Sequence, residues 1–283
     1  MLSFLGFIVV HVGLVIVTGF VRNMNHIVMG TDDQKTIGMW LGLAGIGVVV
    51  LSWFVAHYLS WNHPRVLQHI LKFVTYPMQL LTLNRLIPRQ NYSERQISPY
   101  FWPNGKMPVR DDWKNLAKSG FRDFRLKVGG LVENPVELSL AQIEELGFVE
   151  QITMHHCIQG WTGIAKWGGI PMSRLVELVR PKAEAKVVAF FSFGEAAYGG
   201  PYYDTQSMEN VMKAECLLAS RMNGQSLPDS HGAPLRLRVE NQLGYKMVKW
   251  IERIEFIGSQ KQLGAGEGGA NEDIEYFDLL PNI

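Results

Sequence analysis

Two runs without a charged side chain, residues 1–21 and 36–64, constrain this chain more than any other feature. Each exceeds the roughly 20 apolar residues that a helix needs to cross a hydrocarbon core about 30 Å thick, so the pattern predicts two transmembrane helices. The first run has no basic start, twin arginine or small-x-small cleavage site, and a second long run follows it, so it reads as a span and not as an export signal. Between the two, Arg22-Asn23-Met24-Asn25-His26 to Thr31-Asp32-Asp33-Gln34-Lys35 is polar and turn-rich, suited to water at one membrane face. A third segment, Val66 to Asn84, is apolar over much of its surface but holds Lys72 and Pro77, which predicts an interfacial or kinked helix.

Two spans return the chain to the side on which it began. Arg65, Lys72, Arg85 and Arg89 after the second run, against Arg22 and Lys35 in the loop, lean toward a cytoplasmic C-terminal domain on a bacterial-type cell membrane. Two cysteines in no disulfide-type spacing fit a reducing compartment. A formal net charge of +1 without a basic tract gives no reason to expect nucleic acid as a partner. His11 and His57 fall inside the apolar runs, where an ionisable group is a functional suspect and haem ligation the obvious role. They sit at different depths and a helix pair encloses little, so haem is not expected within this chain. Interfacial histidines or contacts to a partner subunit are the alternative.

The polar run Arg89-Gln90-Asn91-Tyr92-Ser93-Glu94-Arg95 ends the apolar pattern. It divides the chain into a membrane anchor over 1–90, a folded domain over 91–260 and a glycine-rich, acidic tail over 261–283 that reads as flexible. In the domain, Phe124 to Val132, Phe148 to Thr153 and Lys186 to Phe193 carry the alternation and β-branched or aromatic content of strands. Leu138 to Leu146 predicts a short helix capped by Ser139, with Glu144 and Glu145 on its solvent side. Short helices between strands, with frequent glycine turns, predict a mixed, β-rich α+β domain and not a doubly wound sheet.

Met154-His155-His156-Cys157-Ile158-Gln159-Gly160-Trp161 places a cysteine beside paired histidines at the end of a strand. A soft, ionisable sulfur there can meet a metal or an electrophile, although a lone cysteine is equally at home as a small buried hydrophobe. A zinc site from His155, His156, Cys157 and Cys216 is an alternative that lacks the usual short ligand spacings. Further on come Lys166-Trp167-Gly168-Gly169, His231-Gly232-Ala233-Pro234-Leu235-Arg236 and Gly244-Tyr245-Lys246-Met247-Val248-Lys249-Trp250.

In that order, and with the aromatic loop Ser98 to Pro108, these elements resemble the molybdopterin-binding domain of the sulfite oxidase family, which includes the bacterial methionine sulfoxide reductase catalytic subunits. The resemblance runs from about Ser98 to Ile257. It implies a molybdopterin-type molybdenum cofactor, with Cys157 as the thiolate ligand of the metal, a soft ligand suited to a thiophilic ion. It implies that Asn104, His231, Arg236, Lys246 and Lys249 hold the pterin and its phosphate, for which cationic donors make physical sense. Tyr202, or Tyr203 one register away, matches the active-site tyrosine, with a role in orienting substrate or donating a proton; His156 is expected to tune the thiolate from beside it. The implied reaction is two-electron oxygen-atom transfer, the metal cycling between Mo(VI) and Mo(IV).

Sulfite-oxidising members carry an arginine just before the loop asparagine and more soon after the metal cysteine. Here Pro103 precedes Asn104, and Ile158-Gln159-Gly160 follow Cys157, so an anion such as sulfite loses its bidentate clamp. Trp102, Trp161, Trp167 and Tyr202 suggest a pocket for neutral or apolar groups, favouring reduction of a sulfoxide-like or other small oxygenated substrate. Sulfite oxidation is one alternative, and a membrane-tethered binding module without catalysis another. With no haem or iron–sulfur spacing in the chain, a membrane haem or quinone-linked partner is the expected electron relay.

Overall fold

The structure, a computed structural model, describes residues 2–82, 92–196 and 199–274. Contacts divide the chain into two units, Met1–Thr75 and Tyr76–Ile283. The boundary expected at Asn91 lies outside the described residues, as do Arg85, Arg89 and the end of the expected tail.

In the first unit, helix α3 (Ile37–Asn62) is the second uncharged run, and its 26 residues make it long and apolar enough to cross a membrane. At 1.5 Å per residue it measures about 39 Å. None of its apolar window is buried inside the protein. The first run does not form one straight helix. It breaks at Thr18–Gly19 into α1 (Leu2–Val17) and α2 (Phe20–Met29), bent by 111°. The break has local causes: Gly19 adopts φ +126, the Thr18 hydroxyl donates back to Leu14 O at 2.6 Å, and Asn23 Nδ2 donates to Val15 O at 2.9 Å. The expected polar loop is therefore helical as far as Met29. Only residues 30–36 turn, held by the buried Asn25, whose Nδ2 donates to Asp33 O at 3.2 Å and whose Oδ1 accepts from Gly38 N at 2.7 Å. Helix α4 (Pro64–Thr82) takes the place of the third segment, with Pro64 in its first turn and Pro77 inside.

In the second unit, α5 (Asp111–Lys118) precedes two sheets. The first comprises β1 (Leu126–Gly130), β2 (Val136–Leu138), β5 (Val187–Glu195), β6 (Pro201–Ser207) and β10 (Ile251–Ile257), in the order β2-β1-β10-β5-β6. Only β1 and β10 run parallel. β5 is buried on both faces, as its near-continuous apolar run requires, so it lies inside the sheet and leaves β6 at the edge. The second sheet comprises β3 (Val149–His156), β4 (Thr162–Pro171), β7 (Leu217–Met222) and β8 (Gln225–Ser226) in that order, with β9 (Arg236–Arg238) also on β7. Gly169 allows β4 to approach β7, because a Cβ there would lie 2.1 Å from Leu218 O.

One core, including Phe124, Leu126, Trp167, Phe190, Leu217 and Phe256, joins both sheets. Helices α6 (Leu140–Glu145), α7 (Met172–Val179) and α8 (Met208–Val211) are short connections, giving the β-rich mixed architecture the sequence predicts. α6 has the expected Ser139 cap, completed by Gln142. Glu144 is not simply solvated: it accepts from Ser220 Oγ at 2.8 Å and Arg221 Nη2 at 2.7 Å. The segment expected to be a flexible tail is packed through α9 (Ala270–Ile274), where Glu272 is buried against Lys246.

Candidate functional site

β3 delivers Cys157 one residue beyond its end, and a tight turn fixes it there. Cys157 N–H donates to Trp161 O at 3.0 Å, Gly160 N–H donates to Cys157 O at 3.0 Å, and Gly160 supplies φ +84. The sulfur is buried at a cavity of about 600 Å³. Loop 101–109, the ends of β5 and β6, and the turns around His231, Gly244 and Trp250 complete the walls.

Six of the nine candidate residues line this cavity: Cys157, Asn104, His231, Arg236, Lys249 and Tyr202. Asn104 Nδ2 lies 3.5 Å from Cys157 Sγ. Lys249 Nζ donates to Ser230 O at 2.9 Å and to Asn104 O, and lies 4.1 Å from the centre of the Trp250 ring. His231 Nε2 lies 3.1 Å from Phe101 O and its Nδ1 lies 3.0 Å from Ser230 Oγ. Burial pushes the imidazole pKa down, so the neutral ring donates from Nε2 and accepts at Nδ1.

The other three are placed elsewhere. Alternation along β6 turns Tyr203 away from the cavity toward Phe191 and onto Asp273, whereas Tyr202 faces inward. The same alternation on β3 gives the cavity His155 and not His156. Lys246 is buried and donates to Glu272 at 2.6 Å and to Asp204, a pairing that keeps it out of the cavity lining. The zinc alternative does not assemble: Cys216 lies in the hydrophobic core, and among the described residues no three His, Cys, Asp or Glu side chains group as a metal site.

His155, which the sequence offered only as a ligand of the zinc alternative, lines the cavity. Arg238, buried and paired with Glu240 at 2.8 Å through both Nε and Nη2, donates from Nη1 to His155 Nδ1 at 3.2 Å. An arginine cannot accept, so His155 carries its proton on Nε2. Burial, then the charge of Arg238, holds this imidazole neutral by pulling its pKa far down. Gly244 packs against the ring, where a Cβ would lie 2.3 Å from Cε1.

Basic groups outnumber acidic ones on the wall, with Lys106, Arg236 and Lys249 lining the cavity against Glu195. Arg236 is buried, stacks 4.8 Å from the Trp167 ring and donates to His231 O at 3.0 Å, yet no carboxylate pairs with it among the described residues. Burial first, then Arg238, lowers its pKa. Lys249 is pulled down to about 7, by burial first and then by Arg236. Arg236 Nε and Trp161 Nε1 are buried with no hydrogen-bond partner, although both residues line the cavity. Orphaned donors beside uncompensated cations suit an anion bearing several acceptor oxygens, such as a phosphate.

Residues 113–263 match the family described as "Oxidoreductase molybdopterin binding domain". The chain is 34% identical over 131 residues to a protein of Azospira oryzae provisionally named protein-methionine-sulfoxide reductase subunit YedZ1, covering 46% of this chain and 48% of that protein. It is 29% identical over 173 residues to the protein-methionine-sulfoxide reductase catalytic subunit MsrP of Campylobacter jejuni, covering 57% and 58%. The sulfane dehydrogenase SoxCD of Paracoccus pantotrophus, a solved structure, superposes with TM-score 0.43 and 25% identity over 49% of this chain and 39% of that one. The chain thus spans about half the length of the curated relatives it matches. With more than half of its residues inside the family match, and a buried thiol facing an anion-suited cavity, the chain belongs to the oxidoreductase molybdopterin binding domain family.

Proposed function

We propose that this chain is a membrane-anchored, molybdopterin-dependent oxidoreductase that reduces a sulfoxide-like or other small oxygenated substrate, with Cys157 as the thiolate ligand of molybdenum. The observation carrying this reading is the cavity wall: a buried sulfur sharing the lining with orphaned donors and with cations that have no carboxylate partner among the described residues. These residues fit the cofactor. Arg236 and Lys249 supply charge-assisted donors for its phosphate, and Trp161 Nε1 and the His155 Nε2–H supply neutral ones. When bound, the group supplies two-electron oxygen-atom transfer at its metal.

The chain's own residues do the rest. Asn104 Nδ2, at 3.5 Å from the sulfur, stabilises negative charge there, and the turn at Gly160 keeps the sulfur in place. Trp102, Met107, Ile158 and Trp161 form a largely apolar mouth that favours an uncharged substrate over a hydrated oxyanion. Tyr202 stands at that mouth as the group that orients substrate, its hydroxyl fixed by donation to Tyr245 O at 2.7 Å.

Anchoring is assigned to α3 as one crossing and to the bent α1–α2 pair as a second, with the catalytic unit on the cytoplasmic side and electrons arriving from a membrane haem or quinone-linked partner. The test of function is elemental analysis and turnover of the purified full chain beside a Cys157→Ser variant. Near-stoichiometric molybdenum, sulfoxide reduction by a reduced viologen dye, and loss of activity in the variant are the expected results. Absence of molybdenum from protein made in cells that build the cofactor, or turnover of sulfite in place of sulfoxides, would sink the reading.

A further inference from the structure

Asn271 lies beyond residue 263, where the family match ends, yet it lines the cavity. A latch of backbone and side chains brings it there. Gly268 O accepts from the Thr205 N–H at 2.9 Å and also from the Thr205 hydroxyl, and Gly269 bridges to Asp204, so this segment adds to the open edge of β6. Glu272 is buried and accepts from Lys246 Nζ at 2.6 Å, beside Asp204. Asp273 accepts from the Tyr203 hydroxyl. Positions 272 and 273 are thereby held on the body of the domain, which leaves position 271 turned to the cavity.

There, Asn271 Nδ2 donates to Tyr202 Oη at 3.4 Å, while the Tyr202 hydroxyl donates to Tyr245 O at 2.7 Å. The tyrosine proton is engaged on backbone, so the donor available beside it is the second N–H of the Asn271 amide. A carboxamide is neutral. It can hold a polarised but uncharged oxygen without the desolvation that an arginine clamp must repay with an anion.

We infer that Asn271 is a substrate-positioning residue whose amide holds the oxygen of a neutral oxygenated substrate beside Tyr202, supported by the latched segment that follows residue 263. The inference rests on the sulfoxide-type reading above and deepens it.

The experiment uses the full-length, molybdenum-loaded protein in its as-isolated state, with no electron donor, so that binding is read without turnover. Quenching of tryptophan fluorescence by methionine sulfoxide gives a Kd, since Trp102, Trp161 and Trp250 line the cavity. Asn271→Ala should weaken binding about three- to tenfold, the scale of one lost hydrogen bond to a polar substrate group. Molybdenum content and melting temperature should stay unchanged, and in turnover the loss should fall on KM more than on kcat. Asn271→Ser, which keeps a donor, should recover part of the affinity. An unchanged Kd in Asn271→Ala, or a loss of molybdenum or of thermal stability that accounts for the weaker binding, overturns the inference and leaves the sulfoxide reading standing. Unsubstituted protein that binds methionine sulfoxide but does not reduce it overturns the reading alone, and failure to bind it overturns both.

Discussion

At the scale of single residues, the cavity is governed by Arg236 and Lys249, cations paired with backbone carbonyls and, among the described residues, with no carboxylate. Lys249 shows the consequence most directly, because burial and Arg236 bring its ammonium down to about 7, from 10.5 in an unfolded chain. Between those values the unfolded chain binds a proton that the folded, cofactor-free protein does not, so stability contributed at this position rises as pH increases from 7 to 10.5 and is level below 7. Melting temperatures of cofactor-free protein across that window should climb, and the climb should flatten in Lys249→Met; an identical slope in the variant would show that another group is responsible. The family resemblance, and not residue type taken singly, made Cys157, His231, Arg236 and Lys249 legible as candidates, and all four line the cavity. Facing was harder to read. His155 and His156 are adjacent on β3, and Tyr202 and Tyr203 on β6, and a period of two sends neighbours to opposite sides without a sequence signal for which goes inward.

Elements decide what single positions cannot, and Lys246 is the clearest case. In the turn Gly244-Tyr245-Lys246-Met247-Val248-Lys249 both lysines read as phosphate ligands, but β6 contributes Asp204 and α9 contributes Glu272, and together they capture Lys246. Two buried carboxylates around one ammonium push the Asp204 carboxyl up, with burial the main cause. Because Glu272 comes from a segment whose glycine-rich composition reads as flexible, nothing local in the sequence forecasts the pairing; it requires the edge of β6 to be open for residues 268 and 269. Removing the ammonium by Lys246→Met leaves two acidic groups buried together, so the domain should lose about 3–5 kcal/mol, the usual cost of breaking a buried pair. Urea titration should register this as a lower midpoint at unchanged slope. A variant as stable as the parent protein would mean that the cluster adapts by taking up a proton and that the C-terminal segment is held by its backbone contacts alone. The α1–α2 break belongs to the same scale: Thr18 and Gly19 are unremarkable in an apolar run until Asn23 folds back to cap the carbonyl of Val15.

Over the whole molecule, an α-helical unit with exposed apolar surface precedes a β-rich unit with its own core. Val48, Val49, Leu51, Trp53 and Phe54 on α3 are all more than half exposed, which water does not tolerate over 26 residues but a hydrocarbon core does. The length of α3 was legible from composition alone, since an uncharged run of that size has few other uses. The shape of the preceding run was not, because hydropathy does not distinguish a straight span from a broken one. A cation in the middle of α3 separates anchoring from chemistry. Val49→Arg should cost about 2.5–3.5 kcal/mol of insertion free energy at the helix centre, enough to shift the partition by roughly two orders of magnitude. Fractionation of cells should then find the variant released by carbonate, whereas the parent protein needs detergent. The site groups belong to the second unit, so the chain that is released should keep its molybdenum. Release with loss of molybdenum would mean that the membrane unit is needed to build the cavity, and retention in the membrane fraction would mean that the α1–α2 pair holds the chain without α3.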